Sequence, residues 1–175
     1  MCIRDRNDVM QSLIVALVFS RLDYGSATLA GLPKQHMDRL QSVQNAAARL
    51  IFKACRRDHI QPLLRRLHWL RMPERISFWL AVLMYRCLHG SAPGYLASDL
   101  QRVSHLNARR RLRSSTTSAL VVPRTVRSTI SDRAFPATAA SVWNSLPKSV
   151  RSSPSLQVFR SRLKTVLFAW SYSHN

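Results

Sequence analysis

Residues 34–54 of this 175-residue chain read KQHMDRLQSVQNAAARLIFKA, and this stretch decides the predicted fold. Its apolar positions recur every three or four residues, the spacing of one face of an α-helix. Gly31 and Pro33 precede it and predict a break, because glycine adopts the left-handed conformation that ends a helix and proline cannot continue one. A helix is therefore predicted from about Lys34 to Ala54. Its apolar stripe consists of Met37, Leu40, Val43, Ala47, Leu50 or Ile51, and Ala54.

Helical patterns also flank this stretch on both sides. Residues 8–30 are predicted to form an apolar helix, and residues 60–67 a short helix that tolerates proline in its first turn. Another helix is predicted from Glu74 to about Leu88, with Gly90 just after its end, and a short one over residues 95–103. The side chains predicted to face inward here are Leu67, Trp69, Leu70, Met72, Ile76, Trp79, Leu80, Leu83, Met84 and Cys87.

The character of the sequence changes after residue 103. Residues 104–118 combine an arginine run with a Ser/Thr cluster, which is typical of a linker. Residues 119–123 and 125–130 predict two short strands of a hairpin, and Pro123 indicates that the first strand lies at a sheet edge or ends there. A helix carrying Trp143 then stops at Pro147. The last helix is predicted to take Ser153 as its N-cap and to bury Leu156, Phe159, Leu163, Val166, Leu167 and Trp170.

These patterns predict a mainly α fold: a helical bundle with a small C-terminal lobe that contains a β-hairpin. The predicted divisions are a helical region over residues 7–103, a basic linker over 104–118, the lobe over 119–170 and a tail over 171–175. Residues 1–6, MCIRDR, are similar to the translation of a transposase-adapter sequence used in DNA library preparation. They are interpreted as a scar and play no part in the fold prediction.

The charge of the chain indicates a polyanionic partner. Lys and Arg number 27 against 8 Asp and Glu, a formal net charge of +19. The cations are spread along the whole chain, and no helix has a dense basic face opposite a wholly apolar one, so nucleic acid is favoured over a membrane surface. The predicted contact residues are Lys53, Arg56, Arg57, Arg65, Arg66, Arg71, Arg109, Arg110, Arg111, Arg113, Arg124, Arg127 and Arg133.

Catalytic patterns are absent from the sequence. A polymerase needs carboxylates that converge on divalent metal ions, and the acidic residues here are too sparse for that. Asp23 is a lone carboxylate, predicted to pair with Arg21 on a helix surface. The sequence has neither a glycine-rich phosphate loop nor a Gly-x-Ser-x-Gly elbow. We therefore predict a protein that is not an enzyme and uses no cofactor.

The three cysteines, Cys2, Cys55 and Cys87, form no paired framework and indicate reduced thiols in an intracellular compartment, nuclear or cytoplasmic. Cys55 and Cys87 are predicted to be buried in helical patterns. A zinc site that combines them with His59 and His89 was weighed, but the Cys87–His89 spacing directs those side chains apart. A secretory signal at residues 13–27 was also weighed and set aside, since its apolar run is short and acidic residues precede it.

Several short motifs carry a family resemblance when they are taken in order. They are SRLDY at 20–24, AGLP at 30–33, QNAAARL at 44–50, DHIQP at 58–62, LHWL at 67–70, LHGSAPGYL at 88–96, VVPR at 121–124, DRAF at 132–135 and WNSLP at 143–147. Together the motifs resemble the region that follows the polymerase core in LINE-type (non-LTR) retrotransposon polyproteins, over about residues 9–168.

The resemblance implies a thumb-proximal, C-terminal part of a reverse transcriptase whose catalytic carboxylates lie upstream. Such a part is expected to hold template RNA or the RNA/DNA primer-template duplex beside the polymerase palm. The alternatives are a helical module whose apolar faces pack on that palm, and a degenerate copy without cellular activity. A secreted or membrane-active basic peptide would require a secretory signal at residues 13–27.

Overall fold

The computed structural model describes residues 3–98, 100, 119–122 and 135–173, with side chains from residue 8 onward except that of Ala27. Across these residues the chain is mainly helical, as predicted, and no strand is present. The helices are α1 (Ile3–Ile14), a π-helical segment (Val15–Phe19), α2 (Ser20–Tyr24), α3 (Ser26–Leu29), α4 (Lys34–Phe52), α5 (Ile60–Arg66), α6 (Met72–Leu88), α7 (Gly94–Ser98), α8 (Phe135–Ser145), α9 (Lys148–Arg151) and α10 (Leu156–Tyr172).

The predicted β-hairpin is not supported where the structure can be described. Residues 119–122 form no strand, although Leu120 makes a single bridge pairing. The Asn144 side chain instead pairs with the Leu120 main chain, accepting its N–H and donating to its carbonyl, both at 2.9 Å. An asparagine amide thus supplies the two hydrogen bonds that a neighbouring strand would supply. The second predicted strand, residues 125–130, lies outside the described residues, as does the predicted linker 104–118.

The N-terminal helix is interrupted, whereas the sequence predicted one helix over residues 8–30. A π-helical segment follows α1, and Gly25 separates α2 from α3 with φ −106° and ψ 20°. The Gly25 carbonyl accepts the main-chain N–H groups of Thr28 and Leu29, each at 3.0 Å, and also the Thr28 hydroxyl at 2.8 Å. Gly31 has a φ of 74°, so the left-handed turn predicted before α4 is confirmed.

Helix α4 occurs nearly where it was predicted, but part of its buried stripe was wrong. Val43 and Leu50 are 46% and 59% exposed, whereas Gln44 is fully buried. The Gln44 amide donates a 2.7 Å hydrogen bond to the Leu70 carbonyl, which gives this polar side chain a buried partner. Because Gln44 occupies the inner face, the helix is rotated relative to the purely apolar stripe. Its buried residues are Gln44, Ala47, Ala48 and Ile51.

The segment between α5 and α6 packs inward as predicted. The side chains of Leu67, Trp69, Leu70 and Met72 are all buried. The side-chain amide oxygen of Gln41 accepts the Met72 main-chain N–H at 2.8 Å, so α4 also fixes the first residue of α6. Gly90 has a φ of 67° just beyond α6, the conformation predicted for it.

Residue contacts divide the chain into two compact units. Unit 1 comprises Met1–Ile76 and Val166–Asn175, and unit 2 comprises Ser77–Thr165. This grouping follows proximity rather than chain order, since the end of α10 belongs with the N-terminal helices. The domain boundaries predicted around residues 104–118 stay predictions. The buried core of unit 1 includes Ile14, Phe19, Ala47, Ala48, Ile51, Leu64, Leu67, Trp69 and Tyr172.

Unit 2 is built around stacked aromatic rings. The Phe159 ring lies 4.5 Å from the Tyr85 ring and 5.9 Å from the Trp143 ring, centroid to centroid. The Tyr85 hydroxyl donates to the Ser153 carbonyl at 2.9 Å. Ser153 is itself buried and donates its hydroxyl to Val150, so it does not cap α10 as predicted. Ser155 is the N-cap instead, because its hydroxyl oxygen accepts the Val158 N–H at 3.3 Å.

The partner predicted for Asp23 was also wrong. Arg21 is exposed, and Arg75 donates from Nε and from a terminal nitrogen to the two Asp23 oxygens, each at 2.7 Å. The Arg75 guanidinium also lies 4.2 Å from the centre of the Phe19 ring. This two-pronged ion pair ties the start of α6 to α2 within unit 1, which sequence spacing could not show.

We expect Asp23→Asn to destabilise unit 1 by about 2 kcal/mol, because it keeps the shape of the side chain but weakens the charge-assisted hydrogen bonds to Arg75. Urea denaturation followed by circular dichroism measures the change. Asp38→Asn is the matched control, since the Asp38 carboxylate on α4 is exposed. Equal stability of the two variants would contradict a structural role for the Asp23–Arg75 pair.

Candidate nucleic-acid interface

The predicted contact residues that the structure describes lie on the surface of unit 1. Every one of them is exposed: Lys53, Arg56, Arg57, Arg65, Arg66 and Arg71. The remaining predicted contact residues lie outside the described residues: Arg109, Arg110, Arg111, Arg113, Arg124, Arg127 and Arg133. The candidate interface is therefore built from α4, α5 and the segments that follow each of them.

The end of α4 presents Lys53 in a conformation that usually favours glycine. Lys53 has a φ of 49°, and its N–H donates to the Leu50 carbonyl at 3.4 Å. The next N–H, that of Ala54, donates to the Arg49 carbonyl at 3.0 Å. These bonds satisfy the last carbonyls of the helix. They also place a cation at the end of the helix where the dipole is negative.

The loop after α4 uses its acidic side chain to hold its own main chain. The Asp58 carboxylate accepts the Cys55 N–H at 2.7 Å, and the Asp58 N–H donates back to the Cys55 carbonyl at 3.1 Å. Arg56 and Arg57 lie between these residues and are exposed. In the part of the chain that the structure describes, neither arginine forms an ion pair. Their positive charge is therefore exposed to solvent and not neutralised by a described side chain.

The prediction that Cys55 is buried in a helix was wrong, because Cys55 belongs to the turn that Asp58 holds. It lies in this turn rather than in a helix, and it is exposed. Cys87 on α6 is buried as predicted, and burial raises the pKa of its thiol against the opposing effect of Arg86. The described residues contain no group of three or more His, Cys, Asp or Glu side chains that could hold a metal ion.

Helix α5 carries two neighbouring arginines, each of which lies over an aromatic ring. The guanidinium carbon of Arg66 is 4.9 Å from the centre of the Phe52 ring, next to Lys53 at the end of α4. The guanidinium carbon of Arg65 is 5.1 Å from the Tyr172 ring, and a terminal nitrogen donates to the Tyr172 carbonyl at 2.8 Å. Both side chains remain exposed, so these contacts orient the guanidinium groups without burying them.

His68 ends α5 in a second left-handed conformation, with a φ of 51°. Its N–H donates to the Arg65 carbonyl at 3.0 Å, and the Trp69 N–H donates to the Leu64 carbonyl at 3.0 Å. This is the hydrogen-bond pattern of a Schellman motif, in which glycine is the usual residue. The histidine ring is exposed and lies 5.8 Å from the Phe168 ring of α10, centroid to centroid.

A groove of about 420 Å³ opens between these elements. It is lined by Arg65, His68, Phe168, Ala169, Tyr172 and Ser173. The Phe168 and Tyr172 rings lie 4.8 Å apart, so aromatic rings form much of the wall. We name this feature the aromatic groove of unit 1. It combines ring surfaces with an exposed guanidinium group.

Tyr172 anchors the groove to the rest of unit 1. Its hydroxyl donates a 2.6 Å hydrogen bond to the Trp69 carbonyl, and its side chain is buried. Burial raises the pKa of Tyr172 to about 12; Arg71 and Arg65 oppose the increase, and Glu74 adds to it. Arg71 and Arg65 therefore both lie within electrostatic range of this phenol, as does the carboxylate of Glu74.

The aromatic groove was missed by the sequence analysis. Residues 171–175 were predicted to be a tail, yet α10 continues to Tyr172. Trp170 was predicted to be buried, but it is 41% exposed, because the inner face of this last turn belongs to Phe168 and Tyr172. The four-residue spacing of Phe168 and Tyr172 is the signal that could have placed both rings on one helix face. No sequence signal marks His68, which stands where glycine is usual.

No family model matches the chain, and no curated protein or solved structure matches it. Within the described ranges, no helix is long and apolar enough to cross a membrane.

We expect Tyr172→Phe to cost about 1–3 kcal/mol at neutral pH, because it leaves the buried Trp69 carbonyl without its hydrogen-bond donor. The wild-type protein should also lose about 1–2 kcal/mol as the pH rises from 10 to 12, because the folded state retains the phenolic proton of Tyr172 to a higher pH than the unfolded state does. Urea denaturation at several pH values measures both effects. An alkaline loss of the same size in Tyr172→Phe would show that it arises from another group.

Proposed function

We propose that unit 1 binds the phosphate backbone of nucleic acid, RNA or an RNA/DNA duplex, as a non-catalytic part of a retrotransposon reverse transcriptase. One observation carries this proposal: exposed cations follow α4 and α5 without ion-pair partners among the described residues. The acid closest to them in sequence, Asp58, binds a main-chain N–H instead. Such a surface attracts polyanions and releases their counterions on binding.

The geometry of the arginines supports phosphate as the bound group. Arg65 and Arg66 lie over aromatic rings and stay exposed, so less conformational freedom is lost when they bind. A guanidinium group can donate two parallel hydrogen bonds to one phosphate. Lys53 directly follows Phe52, whose ring Arg66 covers, and it adds a flexible positive charge to this surface. Binding through these groups would not depend on nucleotide sequence.

The ordered motifs support the same proposal from a different direction. They resemble the region downstream of the polymerase core in non-LTR retrotransposons, where template and primer-template duplex are expected. On this proposal, the parent polyprotein is an RNA-directed DNA polymerase and this region contributes no catalytic group. An intracellular location, nuclear or cytoplasmic, belongs to the proposal, because the nucleic-acid substrate is found there.

The salt dependence of RNA binding tests this function. We expect affinity for a single-stranded RNA to fall linearly on a log–log plot against salt. The double variant Arg56→Ala/Arg57→Ala should make the slope shallower by about 0.7 for each phosphate contact removed, and should weaken binding by up to about 25-fold at 0.1 M salt. Fluorescence anisotropy measures both quantities.

The double variant Arg86→Ala/Lys164→Ala is the matched control for this experiment. It removes the same charge from exposed positions in unit 2, so we expect a smaller change in slope. Equal slopes for the two double variants would contradict the assignment of the interface to unit 1. Failure of the wild-type protein to bind RNA at low salt would contradict the function itself.

A second function is favoured by exposed apolar side chains on the helices of unit 1. Leu13 and Leu17 of the N-terminal helices are 50% and 68% exposed, and Val43 and Leu50 of α4 are exposed as noted above. Val9 adds a further exposed apolar side chain to α1. Exposed apolar rows of this kind mark surfaces that pack on a partner. They support the alternative of a module that packs on the upstream polymerase palm.

We expect Leu13→Glu/Leu17→Glu to reduce self-association of the purified protein, because it removes exposed apolar area from this surface. Sedimentation velocity over a range of concentrations measures the effect. Tyr95→Glu/Val122→Glu is the control, since it adds the same negative charge at two exposed apolar positions of unit 2. If both variants reduce association equally, added charge rather than this surface is responsible.

A further inference from the structure

We propose that the aromatic groove of unit 1 holds an unstacked base of single-stranded nucleic acid. The inference rests on the proposed function and deepens it, since it names the form of nucleic acid that this surface recognises. The base would lie against the His68 and Phe168 rings, and Arg65 would bind a neighbouring phosphate. In a duplex the faces of the bases are covered by stacking, so this groove would distinguish single strands from duplexes.

The walls of the groove have the chemistry of a stacking site. His68 and Phe168 are inclined to each other by 38°, with centroids 5.8 Å apart, and His68 is exposed. Aromatic rings beside a basic groove are the combination by which proteins bind single strands without sequence preference. The groove has a volume of about 420 Å³, which lies within the range of small-molecule binding sites. A base with its sugar needs a site of that size.

The cation of the groove is held in place before any ligand arrives. Arg65 donates to the Tyr172 carbonyl at 2.8 Å and lies 5.1 Å from the Tyr172 ring, yet its side chain remains exposed. A guanidinium group has five N–H donors, so this bond leaves others for a phosphate. Arg71 lies within electrostatic range of the same tyrosine and is also exposed. The charge of this wall therefore complements a polyanion.

The conformation of His68 supports a role for its side chain. A φ of 51° is unfavourable for a residue with a Cβ atom, and glycine would adopt it without steric cost. The Schellman hydrogen bonds of His68 and Trp69 involve only main-chain atoms, so glycine could make them equally well. Strain of this kind is often found at ligand-binding positions. The ring of His68 contributes to the groove wall, which a glycine could not do.

The test compares strands with the same number of phosphates but different bases. The probes are a thymidine DNA strand of about twelve nucleotides, an abasic strand of equal length, and the matching duplex. We expect wild-type protein to bind the thymidine strand about 5- to 100-fold tighter than the abasic strand. Fluorescence anisotropy at one salt concentration gives the dissociation constants.

Substitutions in the groove test whether its aromatic rings cause the difference in affinity between the thymidine and abasic strands. His68→Gly should bind the thymidine strand about as weakly as the abasic strand, with binding to the abasic strand and the duplex unchanged within about twofold. His68→Asn, which tolerates the left-handed conformation but lacks an aromatic ring, should behave in the same way. His68→Tyr should retain the preference. Phe168→Leu keeps an apolar side chain but lacks a ring, so it should lose part of the preference for the thymidine strand over the abasic strand.

Circular dichroism must first show that each variant is folded, and we expect His68→Gly to melt no lower than the other groove variants. Equal binding of thymidine and abasic strands by wild-type protein overturns the stacking site and leaves phosphate binding intact. Equal weakening of all three probes by His68→Gly also overturns it. Absence of salt-dependent binding to every probe would instead contradict the proposed function, so the two failures are distinguishable.

Discussion

The hydrogen bond from the Tyr172 hydroxyl to the Trp69 carbonyl is the interaction on which the surface of unit 1 depends. It holds the last turn of α10 against the segment between α5 and α6. On the other side, the Trp69 ring meets the Phe19 ring edge to face at 4.4 Å, and Phe19 lies beneath Arg75, which Asp23 holds. One buried phenol thus begins a chain of contacts that extends from the C-terminal helix to the N-terminal helices.

The helix ends, more than the helix faces, determine which side chains unit 1 presents. Lys53 and His68 both adopt left-handed conformations in which glycine would be more favourable. In both cases the main-chain N–H of the next residue donates to a carbonyl near the end of the helix at 3.0 Å, Ala54 to Arg49 and Trp69 to Leu64. The side chains at these two helix ends are a cation and an aromatic ring. Both types of side chain are suited to binding nucleic acid.

Features that depend on local chemistry could be predicted from the sequence. The apolar period of α4, the inward Leu67, Trp69 and Leu70, and the glycine after α6 all follow from spacing and backbone preference. Features that depend on distant partners could not be predicted. Gln44 is buried because of Leu70, and Asp23 pairs with a residue 52 positions away. The aromatic groove combines α5 with the end of α10, so no single stretch of sequence contains it.

The positive charge of the chain links its stability to its proposed ligand. With a net charge of +19, the folded chain brings like charges together, and few carboxylates are present to offset the repulsion. A polyanion that binds the folded state neutralises part of this charge and shifts the folding equilibrium toward that state. The Asp23–Arg75 pair shows how the scarce acids are used, since it stabilises an internal junction rather than covering surface cations. The exposed arginines of α5 and its neighbouring loops therefore remain the groups that a phosphate backbone would neutralise.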